Sequence, residues 1–276
     1  MPAPARCTLL AVTGLLVACL LVLPGPASAG DPDSPALPPP STAAQPARAA
    51  DGDRGNPGYH YAAAHTQTLA TQAAGLRVTL SVHRPRDVRG GRGQHSLGQI
   101  AVGQRADGSY LEAGWRQYAG KPRLFVYWRP ADGRDTCYNL GCGFRPKGSG
   151  IRPGAVLRPG SELSVAFQHL GNKWWLKVDG TKSGFYPDRL WRGRFTGTDF
   201  AQLYGEVYTA PRQRVCADMG NGLRAAHPGA AYMKDARWLG GPALRLHRAD
   251  SVVEVHKYTY AQTSRNSFRY GGPGEC

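Results

Sequence analysis

From Tyr59 onward, turn-forming residues interrupt the chain roughly every eight to twelve positions, and this cadence limits the fold more than any other feature. Between the interruptions lie runs rich in β-branched and aromatic residues, at 59–64, 76–83, 97–104, 109–117, 122–129, 161–169, 173–179, 200–209, 230–238 and 251–259. Such residues suit a pleated, half-buried surface. A helical apolar stripe is sustained nowhere, because even the Ala-rich stretch 62–74 is broken by His65, Thr66, Gln67 and Gln72. With 36 Gly, 22 Pro and no internal repeat, the chain reads as all-β, a sandwich or a barrel.

The first residues follow another logic. Arg6 gives a positive start, 8–22 is apolar, and Ala27-Ser28-Ala29 is a small-residue cleavage site, so 1–29 reads as a secretory signal peptide. Leu16-Val17-Ala18-Cys19 looks like a lipobox, but Leu20 to Leu23 carry the apolar run past Cys19 and favour ordinary cleavage over lipid anchoring. Residues 30–58 are Pro-, Ala- and Gly-rich, with too little apolar surface to offset chain entropy, and read as a disordered linker or short pro-segment. Residues 59–276 are enough for one cored domain. The expected mature protein is exported, is not inserted in a membrane, and is a monomer.

The 34 Lys plus Arg against 19 Asp plus Glu leave a net charge of +15. The bases are scattered singly, without a block, so the balance reads as a solubilising surface rather than a nucleic-acid site. Six cysteines less Cys7 and Cys19 of the leader leave Cys137, Cys142, Cys216 and Cys276, which allow three disulfide pairings. By counting, a short Cys137–Cys142 ring would leave Cys216 to join Cys276 and tie down the C-terminus. A metal site is not expected: there is no second close Cys pair and no HExxH. No cofactor is implied.

Chemistry falls to carboxylates. G-x-S-x-G is absent, and the eight histidines are dispersed without ligand spacing. Glu112 and Glu206 stand out among the glutamates because each sits mid-strand between aromatic and small residues, whereas Glu162, Glu254 and Glu275 sit at a strand start, on a polar face and at the terminus. Alternation places Tyr110, Glu112 and Gly114 on one side of 109–117 and Leu111, Ala113 and Trp115 on the other. It likewise groups Tyr204, Glu206 and Tyr208, with Gly205 leaving room for close packing or a ligand. Trp174-Trp175 must face opposite sides, one toward the core and the other available to a groove.

Leu111-Glu112-Ala113-Gly114-Trp115, Arg123-Leu124-Phe125-Val126-Tyr127-Trp128 and 137–144 (CYNLGCGF) resemble the opening of a neprosin domain. Trp174-Trp175-Leu176, Gly184-Phe185-Tyr186-Pro187, Tyr204-Gly205-Glu206-Val207, Asp218-Met219-Gly220-Asn221-Gly222 and Ala230-Ala231-Tyr232-Met233 follow in that family's order. The resemblance spans about 60–238. It implies an antiparallel β-sandwich of two large packed sheets and a secreted glutamic peptidase that cuts after proline. Glu112 and Glu206 would be its catalytic pair, and Cys137–Cys142 its short disulfide. Plant members usually carry Trp-Gly-Gly-Glu where this chain has Leu203-Tyr204-Gly205-Glu206. The Ala-, Arg-, Gly- and Pro-heavy usage is that of a high-GC bacterium.

Under this reading the two glutamates lie on facing strands and share one proton, because two close negative charges are costly. The ionised one activates water; the other stabilises the oxyanion and then protonates the leaving nitrogen. Activity is expected in acid. Proline needs a flat apolar slot, for which Tyr204, Tyr208, Trp115, Trp128 and Trp175 are candidates, and the substrate is a proline-rich peptide or protein. A carbohydrate-active sandwich, which also uses paired carboxylates and aromatics, and an inactive binding module are the alternatives.

Overall fold

The computed structural model describes residues 58–88, 94–106, 108–118, 120–130, 137–141, 143–249 and 257–276. The leader expected at 1–29, nearly all of 30–58, Glu254, most of the run 251–259, and Cys142 with the side chain of Cys137, and therefore the expected Cys137–Cys142 disulfide, lie outside the described residues. The strands, in chain order, are β1 (Tyr59–Thr66), β2 (Gly75–Ser81), β3 (His95–Gly103), β4 (Tyr110–Gln117), β5 (Arg123–Arg129), β6 (Cys137–Tyr138), β7 (Arg145–Pro146) and β8 (Glu162–His169). There follow β9 (Lys173–Val178), β10 (Thr181–Pro187), β11 (Phe200–Tyr208), β12 (Ala231–Leu239), β13 (Leu246–Arg248), β14 (Thr259–Ser264) and β15 (Ser267–Gly271). Helical turns among the described residues are short 3-10 pieces, Asn139–Gly141 and Asp188–Trp191.

Two antiparallel sheets result. One has seven strands in the order β13-β1-β11-β3-β4-β5-β6; the other has eight, β14-β15-β12-β2-β8-β9-β10-β7. Between them lies an apolar core built from alternate residues of each strand. Leu76, Val78 and Leu80 of β2, Val165 and Phe167 of β8, and Trp174 and Leu176 of β9 meet Ile100, Leu111, Ala113, Trp115, Val126, Leu203 and Val207 of the seven-stranded sheet. Trp115 is wholly buried there, its Nε1 donating to Ser81 O at 2.8 Å.

One close approach sets the distance between the sheets. Gly98 of β3 and Gly205 of β11 are direct partners in the ladder, and both lie under the side chain of Tyr270 from β15. A Cβ at either position would collide with Tyr270, so Gly205 serves sheet packing rather than a ligand.

The C-terminus is clamped. Cys216 and Cys276 form a disulfide with Cα atoms 4.8 Å apart. Beside it Glu275 N donates to Val215 O, and Asp218 accepts from Arg86 Nε at 2.9 Å and from Gly274 N at 3.1 Å. Asn221 caps the adjoining turn through Gly229 O. The Asp218–Gly222 stretch thus carries architecture, with the Met219 sulfur packed against Gly205.

Candidate active site

The outer face of the seven-stranded sheet carries a second, separate cluster: Tyr61, Ala63, Leu97, Ala101, Tyr110, Phe125, Tyr127 and Tyr204, with Tyr59 and Tyr138 packed against it. Every residue of β3 and of β4 is buried, on both faces. Two glutamates are set into this aromatic layer, and both are fully shielded from solvent.

Ladder register places them. Across β1, β11, β3, β4 and β5 one row reads Tyr61, Glu206, Leu97, Arg116, Arg123. The next row on the same face reads Ala63, Tyr204, Gln99, Gly114, Phe125, and the one beyond it His65, Gln202, Ala101, Glu112, Tyr127. Glu206 and Glu112 therefore share a face of one sheet, with β3 between their strands and the Tyr204–Gln99–Gly114 row between their levels. The expectation of facing strands is corrected in this respect: the pair lies side by side within a sheet, not across two. Gly114 contributes no side chain to the middle row, and Gln99 packs directly against it.

Each carboxylate ends a short chain of donors. Gln99 Nε2 donates to the Tyr204 hydroxyl, which donates to Glu112 Oε1 at 2.8 Å. Arg116 Nη2 lies 2.9 Å from His95 Nδ1, and His95 Nε2 lies 2.7 Å from Glu206 Oε1. Glu112 Oε2 and Glu206 Oε2 are buried and make no hydrogen bond. Burial pushes the Glu112 carboxyl up to about 8, against the pull of Tyr204, Gln99 and Arg129. Glu206 is pushed well above the usual carboxylate range by burial first and by the charge of Glu112 second, with Arg116 and the Tyr61 hydroxyl acting against this. The charge of Glu112 thus reaches Glu206 across the intervening strand.

The aromatic candidates separate. Tyr204 touches Glu112 directly. Tyr208 is half-buried and stacks on His95 with ring centroids 5.6 Å apart. Trp115 and Trp128 belong to the core between the sheets, on the opposite face from the glutamates, and so cannot line a groove beside them. Trp128 packs edge-on to Trp191 at 5.3 Å. Trp175 is on the outer face of the other sheet, against Phe185 at 5.0 Å. Among the described residues no cluster of three His, Cys, Asp or Glu could hold a metal, and no helix is long and apolar enough to cross a membrane.

Sequence reading passed over His95, Arg116, Gln99, Tyr61, Tyr59 and Tyr127. The signal was parity: once Glu112 and Glu206 are set on one face, Arg116 shares it two positions beyond Gly114, and His95 and Gln99 share the alternating side of β3. The missing information was the pairing of β3 with both β11 and β4.

The family model for Neprosin matches residues 92–273, which is 182 of the 276 residues. Among solved structures, Scytalido-glutamic peptidase with a peptide-based transition-state analogue is similar at 7% identity, over 78% of this chain and 98% of that one, with a TM-score of 0.38. SCP-B, a member of the eqolisin family of peptidases in complex with the tripeptide Ala-Ile-His, gives the same 7% identity, 78% and 98% coverage, and TM-score of 0.38. Apo Crh5 transglycosylase is similar at 10% identity, over 51% of this chain and 56% of that one, with a TM-score of 0.33.

Proposed function

The chain belongs to the neprosin family, and from that premise we propose that it is a glutamic peptidase in which Glu112 and Glu206 act as a pair on a water molecule. The observation that carries this reading is the burial of both carboxyls on one face, each held through Oε1 by a chain of donors and each with Oε2 unbonded. Burial and mutual repulsion disfavour the doubly ionised pair, and the reactive form in this reading is the one that holds one proton. In that form one carboxylate takes a proton from water as it attacks the scissile carbonyl. The other, still protonated, donates to the developing oxyanion and then to the leaving nitrogen. The Tyr204 hydroxyl, between the two levels, is a fixed donor on the Glu112 side.

The substrate in this reading is an exported or extracellular proline-rich peptide, cut after proline by a monomeric enzyme secreted through the leader at 1–29. Rings of Tyr59, Tyr61, Phe125, Tyr127, Tyr138 and Tyr208 around the glutamates support this, since a proline ring packs flat on aromatic faces.

The test is to incubate the secreted protein with a proline-rich peptide and with a polysaccharide at pH 3 and pH 7. Fragments ending in proline, absent with folded Glu112→Gln and Glu206→Gln variants, are the expected result. Released sugars would establish the carbohydrate-active alternative, and no product from either would leave a binding module.

A further inference from the structure

A charge on Glu206, in a site shut off from water, has to be held by its neighbours. Two side chains outside the motif do so. His95 is fully buried, and Arg116 is 3% exposed. A guanidinium N–H can only donate, so at 2.9 Å from Arg116 Nη2 the His95 Nδ1 must be the acceptor. The ring hydrogen then sits on Nε2 and points at Glu206 Oε1, 2.7 Å away. The ring is also fixed in plane, stacked on Tyr208 and edge-on to Tyr59.

Arg116 has its Nε and Nη1 buried without hydrogen-bond partners. Its neighbour across the ladder is Arg123, another cation, and the ring of Tyr138 lies 5.3 Å from its guanidinium carbon. A buried cation needs a negative charge nearby. The groups facing it from the packed elements are Tyr59 and Tyr61 of β1, His95 of β3, Glu112 of β4, Arg123, Tyr127 and Arg129 of β5, Tyr138 of β6, and Tyr204, Glu206 and Tyr208 of β11. The acids among them are the two glutamates, and the nearer in the ladder is Glu206.

We propose that Arg116 and His95 are positioning residues for Glu206: His95 is a hydrogen-bond bridge of fixed tautomer, not an acid or base, and through it the charge of Arg116 stabilises the singly ionised glutamate pair. This rests on the peptidase reading. Arg116 does the same work at Glu206 that Tyr204 and Gln99 do at Glu112, but with a full charge at the far end.

The fixed tautomer gives a sharp test, because glutamine reproduces it. In His95→Gln the side-chain oxygen can accept from Arg116 while the amide nitrogen donates to Glu206. His95→Phe keeps the ring and removes both bonds. Proline-peptide cleavage is measured from pH 2 to pH 8 for these two variants, Arg116→Met and Arg116→Lys. With the donor or the charge gone, ionised Glu206 is disfavoured, so the acid limb of kcat should move up by about one pH unit in His95→Phe and Arg116→Met. His95→Gln should return the limb to its original position and recover activity to within about threefold, and Arg116→Lys should fall between. An unmoved limb in His95→Phe, or a His95→Gln as damaged as His95→Phe, would overturn the proposal, the latter by making His95 a proton carrier.

A second readout does not need turnover. In protein labelled with 13C at glutamate carboxyls, the Glu206 resonance should titrate about one unit higher in His95→Phe and Arg116→Met than in the parent. Should the parent cleave nothing, or Glu206→Gln stay active, the peptidase reading fails. The titration still decides whether the bridge exists: a Glu206 resonance that ignores both variants overturns it.

Discussion

A carboxyl that has been denied water is a liability at neutral pH, and Glu112 shows the size of it. Its ordinary value is 4.5, and in the folded chain it rises to about 8 because of burial. Between those values the folded protein keeps a proton that the unfolded chain has released. Stability therefore falls as pH rises from 4.5 to 8, and the loss is complete above 8. Glu112→Gln has nothing to titrate there. The variant should melt level with the parent near pH 4 and above it near pH 8, by up to a few kcal/mol, or on the order of 5–10 °C. Thermal melts by circular dichroism across that range check this, and a pH-independent difference would contradict the assigned burial. The sequence exposed these two glutamates because each stood mid-strand among aromatics. It did not expose Arg116 or His95, whose meaning depends on a neighbour 111 positions away in the case of His95 and Glu206.

Strands were legible where composition and alternation agreed. The expected runs at 59–64, 76–83, 97–104, 109–117, 122–129, 161–169, 173–179, 200–209 and 230–238 appear as β1, β2, β3, β4, β5, β8, β9, β11 and β12. β10 was missed because Ser183 and Gly184 form an irregularity in its pairing with β9 and Pro187 ends it, all of which look like turn chemistry in one dimension. The β14–β15 hairpin was missed because β14 is polar and exposed at a sheet edge. Parity also separated Trp115 from Glu112 correctly, yet could not say which side of β4 was core. The glycine notch of β3 and β11 belongs to this scale. Gly205→Ala would push a methyl into the Tyr270 ring and the Met219 sulfur. A loss of about 1–3 kcal/mol in urea unfolding is expected, with Gly98→Ala similar and the double variant less than additive.

At the level of the whole molecule, two devices compete to hold the ends. The long strands give the sandwich its core, while the C-terminal strand pair is tied in by the Cys216–Cys276 disulfide, whose partners are 60 positions apart. Closing a loop of that size removes about 4 kcal/mol of unfolded-state entropy. The paired variant Cys216→Ser/Cys276→Ser should lose stability of that order, and Tyr270, carried on β15, should loosen from its notch. Hydrogen exchange at β15 is the measurement, and protection there equal to the parent would show that Asp218 and its contacts suffice alone.

The two carboxylates owe their partners to pairings of long range: Tyr204 finds Glu112 across 92 positions, and His95 finds Glu206 across 111. Contacts so distant form late, after the loops between them have closed. A nascent or still-extended chain accordingly carries both glutamates with neither donor chain assembled. Under the proposed peptidase reading, latency during synthesis would then come with the topology itself.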